Sequence, residues 1–330
     1  MKAIIPVAGK GTRLRPHTHA IPKPLIKVAG KEVLGHILDT LLPLGLSEVI
    51  FIVGHLHDKV EEYVRLNYPQ LFTRAIKQEE LKGTAHAVGL AAPYVAEEVL
   101  IIFSDTLCDA DFSVIKSLPG DVDGAIWTKS ADEPHKYGVV VTNPDGLMTQ
   151  IVEKPSQPSS NLVNIGVQYI KDWQMLFGAI DAILAGPAKG GEYYLTDVLQ
   201  YMIDRGGKIK TFEVSSWLDC GNVSDLLKTN RYLLEKGLAE HPRFNGHGVV
   251  VNEPVRVAAD VRLENVEIGP NVTIESGAVI QSSKLKNSIV GRGASIFDSE
   301  LSDSLVGAEA EIRSIKGSLN VADHSVVKGN

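Results

Sequence analysis

Two cysteines in 330 residues, Cys108 and Cys220, leave nothing from which a disulfide framework could be built and suit a reducing cytoplasm. No apolar run approaches the roughly 20 residues that span a bilayer. The chain enters a strand-like run at once, without a signal-peptide pattern, so a cytoplasmic protein without a membrane partner is expected. A basic stripe is also missing, and the formal net charge of -7 argues against nucleic acid as a partner. Both familiar phosphate loops are absent. The Walker loop needs Gly-Lys-Ser/Thr after four intervening residues, and the dinucleotide fingerprint needs a third small residue where Leu14 stands. What is there instead is Gly9-Lys10-Gly11-Thr12-Arg13-Leu14, then Pro22-Lys23-Pro24, directly after the apolar run Ala3–Ala8. Glycines let backbone N–H groups approach an anion, and Arg13 and Lys23 add fixed positive charge. A plain glycine turn with two solvated cations is the competing interpretation.

Hydrophobic content of 44% and charged content of 22% describe an ordinary globular protein, long enough for about two domains. Apolar runs at Ile4–Val7, Val49–Val53, Val99–Phe103, Ala125–Trp127, Val139–Thr142 and Val163–Tyr169 predict strands. They alternate with amphipathic segments at Val33–Leu44, Asp58–Leu66, Thr84–Ala92, Trp173–Leu184 and Thr196–Asp204. That alternation predicts an α/β fold with a Rossmann-like, mostly parallel sheet sandwiched by helices, in which ligands bind beyond the carboxyl ends of strands. Near Leu234 the pattern changes. A linker over 236–250, with Gly237, His241, Pro242, Gly246, His247 and Gly248, separates residues 1–235 from 251–330. In the last segment aliphatics recur every six residues, as at Ile268, Ile274 and Ile280, then Val290 and Ile296. This hexapeptide rhythm predicts a parallel β-helix, with loops where it breaks near Lys284–Ser288 and Asp298–Ser304. An antiparallel sandwich is the alternative.

Asp105 follows the run Leu100–Phe103, and Asp219 follows the strand-like Ile209–Val214. An aspartate ending an apolar run either caps a helix or binds a cation. Beside a phosphate loop the two suggest a carboxylate pair for Mg²⁺, which commonly takes one or two carboxylates plus substrate phosphates. Glu153-Lys154-Pro155 offers another cation, though an exposed Glu-Lys pair is ordinarily a solvated turn. His17 and His19 read as part of a solvated loop, and His55 and His57 lack a third metal ligand. Cys108 and Cys220 read as small apolar fillers, not nucleophiles.

Taken in order, Gly9–Leu14 with Pro22-Lys23-Pro24, Gln78, Gly83-Thr84-Ala85-His86-Ala87, Asp105, Tyr137-Gly138, Glu153-Lys154-Pro155, Asn164-Ile165-Gly166 and Trp217-Leu218-Asp219 form a series. Over roughly residues 1–230 this series resembles the sugar-1-phosphate nucleotidylyltransferases, and the hexapeptide tail is similar to that of members carrying a left-handed β-helix. The resemblance implies that a sugar 1-phosphate attacks a nucleoside triphosphate and pyrophosphate leaves. Gly9, Gly11 and Thr12 would cradle the triphosphate, with Arg13 and Lys23 on its phosphates. Gln78, Gly83 and Thr84 would bind the nucleotide, the first two at its base edge. Gly138, Glu153 and Asn164 would contact the sugar, Lys154 its phosphate, and Asp105 and Asp219 would hold Mg²⁺. Ser104 departs from the family's usual glycine before the first metal aspartate.

The resemblance favours dTTP or UTP with glucose 1-phosphate, in a homo-oligomer. A silent regulatory subunit that binds nucleotide sugar is a second reading, opposed by the retention of Arg13, Lys23, Asp105, Lys154 and Asp219. An acyltransferase activity in the β-helix is a third; its histidine, His324, lacks an evident partner context.

Overall fold

The structure is a computed structural model that describes residues 1–242 and 248–329. Gly246 and His247 of the linker lie outside the described residues. The chain divides into two compact units, Met1–Lys10 with Ile37–Trp217, and Gly11–His36 with Leu218–Asn330.

The first unit is built on one nine-stranded sheet. Its strands are β1 (Lys2–Pro6), β2 (Glu48–Val53), β3 (Thr73–Lys77), β4 (Val99–Ile102), β5 (Gly124–Ser130), β6 (Gly138–Thr142), β7 (Met148–Glu153), β8 (Leu162–Ile170) and β9 (Ile209–Glu213). The order is β7-β6-β8-β4-β1-β2-β3, with β5 pairing β8 and β9. All six residues of β2 are buried, as are all four of β4, so these strands read as unbroken apolar runs because both sheet faces are covered. Glu48 is tolerated in that interior because its carboxylate accepts from Lys2 Nζ at 2.7 Å and Arg74 Nε at 2.8 Å. After α1 (Val33–Leu41) and α2 (His57–Asn67), helices α3 (Thr84–Gly89), α4 (Trp173–Leu184) and α5 (Leu195–Ile203) pack Val88, Leu176, Ile180, Val198 and Leu199 into one core with Ile4, Ile50 and Ile101.

Two differences from the sequence-based expectation have physical causes. The sheet is mixed: four of its pairings are parallel, among β4, β1, β2 and β3 and between β5 and β9, and four, around β6, β7 and β8, are antiparallel. Strand β3 is absent from the list of predicted strands because it is an edge, alternating exposed and half-buried residues, where polar side chains such as Thr73, Arg74 and Lys77 belong.

In the second unit fifteen short strands stack as three five-stranded parallel sheets, the arrangement of the expected left-handed β-helix. Its interior holds Ile268, Ile274, Ile280, Val290, Ile296, Val306 and Ile312, the aliphatics of the hexapeptide rhythm. The two breaks in that rhythm are not loops. Strands Lys284–Lys286, Ser288–Val290 and Glu300–Ser302 occupy them. Single positive-φ residues turn the corners there, Asn287 at 44° and Asp303 at 48°. The coils there close in 16 residues, as the bonds from Ser299 N to Ser283 Oγ and from Ser304 N to Ser288 Oγ record, where three hexapeptides would need more. The register slips while the strands continue.

Helix α6 (Val223–Leu233), not expected from the sequence, belongs to this unit. The Asn222 side chain caps it by accepting from Asp225 N at 3.0 Å, an Asn-x-x-Asp signal legible in the sequence. Asn230, fully buried on this helix, accepts from Ala29 N at 2.8 Å and from Thr273 Oγ1 of the β-helix at 2.7 Å. Among the described residues, no helix is long and apolar enough to cross a membrane.

Candidate functional site

In the first unit the chain leaves β1, adds β2 and β3 on one side, then returns to place β4 on the other side of β1. The loops leaving β1 and β4 therefore flank a topological switch point, where open α/β sheets bind ligands. Gly9 lies in the first loop and Asp105 in the second. Gly9 and Lys10 are exposed. A Cβ added at Gly9 would meet nothing within 4 Å, so protein packing does not require this glycine. Asp105 is half-buried.

Gln78 follows β3 at the same edge and is 6% exposed. Its Nε2 donates to His86 Nδ1 at 2.9 Å and toward the Gly83 carbonyl at 3.4 Å. That orientation leaves Oε1 as the acceptor. Because His86 Nδ1 receives a proton, the ring is the neutral Nε2–H tautomer, and burial, followed by the nearby Lys82 charge, holds its pKa below the ordinary value. Gly83 has φ +98°, and a Cβ there would strike the Tyr193 carbonyl oxygen at 2.5 Å. Tyr193 N donates to Lys82 O at 2.8 Å and Ala85 N to Tyr193 O at 2.9 Å, locking the segment before α5 to this loop. The Thr84 hydroxyl accepts from Leu195 N at 2.9 Å, so it caps α5.

The sugar-binding candidates share one row of the sheet. Glu153 on β7 pairs with Gly138 on β6, which pairs with Asn164 on β8. A Cβ on Gly138 would stand 2.7 Å from Thr196 Cγ2 and 3.4 Å from Glu153 Oε2, so hydrogen there keeps the floor of the row clear. Glu153 Oε2 accepts from Thr196 Oγ1 at 3.1 Å, and Lys154 Nζ lies 3.3 Å from Glu153 Oε1. Asn164 Oδ1 accepts from Gly166 N and Gln168 Nε2, which fixes the orientation of its carboxamide. Between Asn164 and Gln168 the pairing of β8 with β5 shifts register, a bulge of the kind found beside active sites. Lys154 adopts φ +43°, uncommon for a residue with a side chain, and its Nζ lies 5.6 Å from the centre of the Tyr194 ring. The sequence reading missed Thr196 as a partner of Glu153.

The second unit carries Gly11, Thr12, Arg13, Lys23 and Asp219. Gly11 has φ +59°, and a Cβ there would meet Thr18 Cγ2 at 2.9 Å and Lys23 Cβ at 3.1 Å, so the glycine lets Lys23 fold against the start of the loop. Thr18 Oγ1 donates to the Gly11 carbonyl at 2.9 Å. Thr12 and Arg13 are exposed, Lys23 half-buried, and Leu14 anchors the turn with a fully buried side chain. Gly221 brings Arg13 and Asp219 to one place: a Cβ there would meet Asp219 Oδ1 at 2.7 Å and Arg13 Nη2 at 3.0 Å. The expectation of a solvated loop fails at His17, which is 5% exposed. Its Nε2 meets Asn320 Oδ1 at 2.8 Å, a partner 303 residues away that no local pattern announces.

Among the described residues no group of three His, Cys, Asp or Glu could hold a metal ion. Asp105 of the first unit and Asp219 of the second are both half-buried, and each offers the hard carboxylate oxygen that a divalent cation of the Mg²⁺ type takes. Burial pushes the Cys108 thiol up to about 11, which keeps it protonated, and Cys220 is buried with its Sγ 3.7 Å from Thr229 Oγ1.

The family model for nucleotidyl transferases matches residues 2–236. The bifunctional protein GlmU of Methanocaldococcus jannaschii is 32% identical over 280 residues, which cover 84% of this chain and 61% of that protein. This chain thus spans about three-fifths of the length of that relative. The UTP–glucose-1-phosphate uridylyltransferase AglF of Haloferax volcanii is 32% identical over 72% of this chain and 98% of its own. A glucose-1-phosphate thymidylyltransferase of Streptomyces griseus is 29% identical over 88% of this chain and 87% of its own. A crystal structure of UDP-glucose pyrophosphorylase with UDP-glucose shares the fold, with TM-score 0.63 at 22% identity, covering 71% of this chain and 98% of that one.

Proposed function

This chain belongs to the nucleotidyl transferase family, and from that premise we propose that it joins UTP or dTTP to a sugar 1-phosphate, glucose 1-phosphate first among them, releasing pyrophosphate. An oxygen of the sugar phosphate attacks the α-phosphorus; a new P–O bond forms there, and the bond to the β-phosphate oxygen breaks. The nucleophile is already an anion, so no general base is needed. Positioning and charge neutralisation are what the protein supplies.

The observation that carries this proposal is the placement of Gly9, Gln78 and Asp105 at the carboxyl edge of neighbouring parallel strands, with Glu153, Gly138 and Asn164 in one row of the same sheet. Gln78 Oε1 is the acceptor for an imide N–H, and the Gly83 N–H is the adjacent donor for a carbonyl, which together complement uracil or thymine. Glu153 and the Asn164 amide bind sugar hydroxyls. Lys154 holds the sugar phosphate. Gly9, Gly11, Thr12, Arg13 and Lys23 bind the triphosphate, with Arg13 on the departing pyrophosphate. Asp105 and Asp219 would hold Mg²⁺, which would supply positive charge for the triphosphate beside that of the two cations.

Incubation with Mg²⁺ and a matrix of nucleoside triphosphates and sugar 1-phosphates, read as pyrophosphate release, tests this. The expected result is turnover with UTP or dTTP and a hexose 1-phosphate. No release from any pair would sink the enzyme assignment, and release confined to purine triphosphates would sink the base assignment.

A further inference from the structure

The segment that carries Arg13 is made of three-residue 3-10 turns, Thr12–Leu14, His17–His19 and Lys23–Leu25, with no longer element to stiffen it. Such segments have little local stability of their own. The second unit supplies stiffness from elsewhere. Lys27 Nζ bonds Glu275 Oε2 at 3.0 Å and Ala29 N bonds Asn230 Oδ1 at 2.8 Å, both downstream of the loop. Close to Arg13, beside the buried Leu14 and the Thr18 bond to the Gly11 carbonyl, the tie from the β-helix is one side chain, Asn320, at the start of the strand Asn320–Val321 in the last coil.

Asn320 makes two bonds, and their directions fix each other. Its Nδ2 donates to the Arg15 carbonyl at 3.2 Å, which only accepts. Its Oδ1 must therefore be the atom facing His17 Nε2 at 2.8 Å, and His17 must carry its proton on Nε2. Burial pulls the His17 pKa below its ordinary value, against the opposing effects of Asn320 and Asp323, which agrees with a neutral ring acting as donor. The carboxamide thus holds backbone and side chain two and four residues beyond Arg13, on either side of Pro16.

We propose that Asn320 is a positioning residue for the triphosphate clamp: the last coil of the β-helix, through the Asn320–His17–Arg15 tie, sets where the Arg13 turn lies. This rests on the assignment of Arg13 to the pyrophosphate. It gives the β-helix a role in the reaction of its own chain, separate from assembly and from any second activity. The two bonds fix one carboxamide against both the backbone and a side chain of the segment after Arg13.

Steady-state kinetics of Asn320→Ala in the full-length protein, with each substrate varied in turn, tests the tie. Expected is a rise of about tenfold in KM for the nucleoside triphosphate, with KM for the sugar 1-phosphate unchanged. His17→Leu should reproduce this. His17→Gln, whose amide nitrogen keeps a donor near the Nε2 position, should restore the wild-type value, a rescue that general loosening of the fold would not show. In an Arg13→Ala background Asn320→Ala should add nothing further. Equal changes in both KM values, or none in either, overturn the tie. Arg13→Ala with undiminished turnover overturns the clamp and the tie together, whereas a crippled Arg13→Ala beside a normal Asn320→Ala overturns the tie alone.

Discussion

The sugar row of the first unit and the cationic loop of the second are positioned by opposite means. Glu153, Gly138 and Asn164 lie on three adjacent strands whose register is set by hydrogen bonds along β7, β6 and β8. Their side chains inherit the precision of a sheet. Arg13 stands on a short turn that the last coil of the β-helix reaches through Asn320. One chain thus holds residues whose geometry is local to a sheet and others whose geometry is set from a distant part of the sequence. Mutations in the two should fail differently: the first through shape, the second through placement.

The largest effect that probes this contrast is expected at the carboxylates. Asp219→Asn should reduce pyrophosphate release by about a thousandfold or more at saturating substrate, with the melting temperature near wild type. A near-normal rate would remove Asp219 from the metal site. Next comes Gly138→Ala. The added methyl collides with Thr196 and narrows the row beside Glu153, so KM for the sugar 1-phosphate should rise about tenfold or more with KM for the triphosphate unmoved. Set beside Asn320→Ala, this pair should give mirror-image kinetic splits; the same split from both would erase the distinction.

Ser283→Ala probes the β-helix away from the loop. It removes the hydroxyl that accepts from Ser299 N and leaves a buried donor unpaired, at a cost of about 1–3 kcal/mol. Calorimetry should register a lower melting temperature while both KM values hold. A changed triphosphate KM would mean that any weakening of the β-helix reaches Arg13, not the Asn320 tie in particular.

The smallest effect is a pH dependence. Burial lowers the folded-state pKa of His17 below the 6.5 of an unfolded histidine. Its neutral form is therefore favoured by folding, and at pH above 6.5 it contributes no pH dependence to stability. As pH falls below that value the unfolded chain binds the proton first, and stability is lost at up to about 1.4 kcal/mol per pH unit until the folded pKa is reached. Asp323, the nearby charge, limits the loss. His17→Gln should flatten the acid side of the denaturation midpoint against pH. An unchanged slope would place the titration elsewhere, His86 being the other histidine with a lowered pKa.

Most of the sheet was legible because burial on both faces writes itself as apolar runs, as in β2 and β4. The edge strand β3 was not, since an edge has no reason to be apolar. The β-helix was legible through its inward aliphatics, and misread only where single positive-φ corners shorten a coil to 16 residues. Helix α6 had a readable cap at Asn222 that the change of pattern near Leu234 obscured. Cys220 is the buried small residue expected, and Cys108 is a protonated thiol.

The sequence by itself determined the family, the two architectures and the ordered chemistry-bearing residues, because glycine turns, apolar periods and charges following strands are local statements of backbone need. Only the tertiary structure decided that Gln78 presents its carbonyl oxygen, that Thr84 and Thr196 support neighbouring elements, and that His17 is buried against Asn320. Those are facts about partners distant along the chain, and a hydrogen bond across 303 residues leaves no period, spacing or composition for a sequence to display.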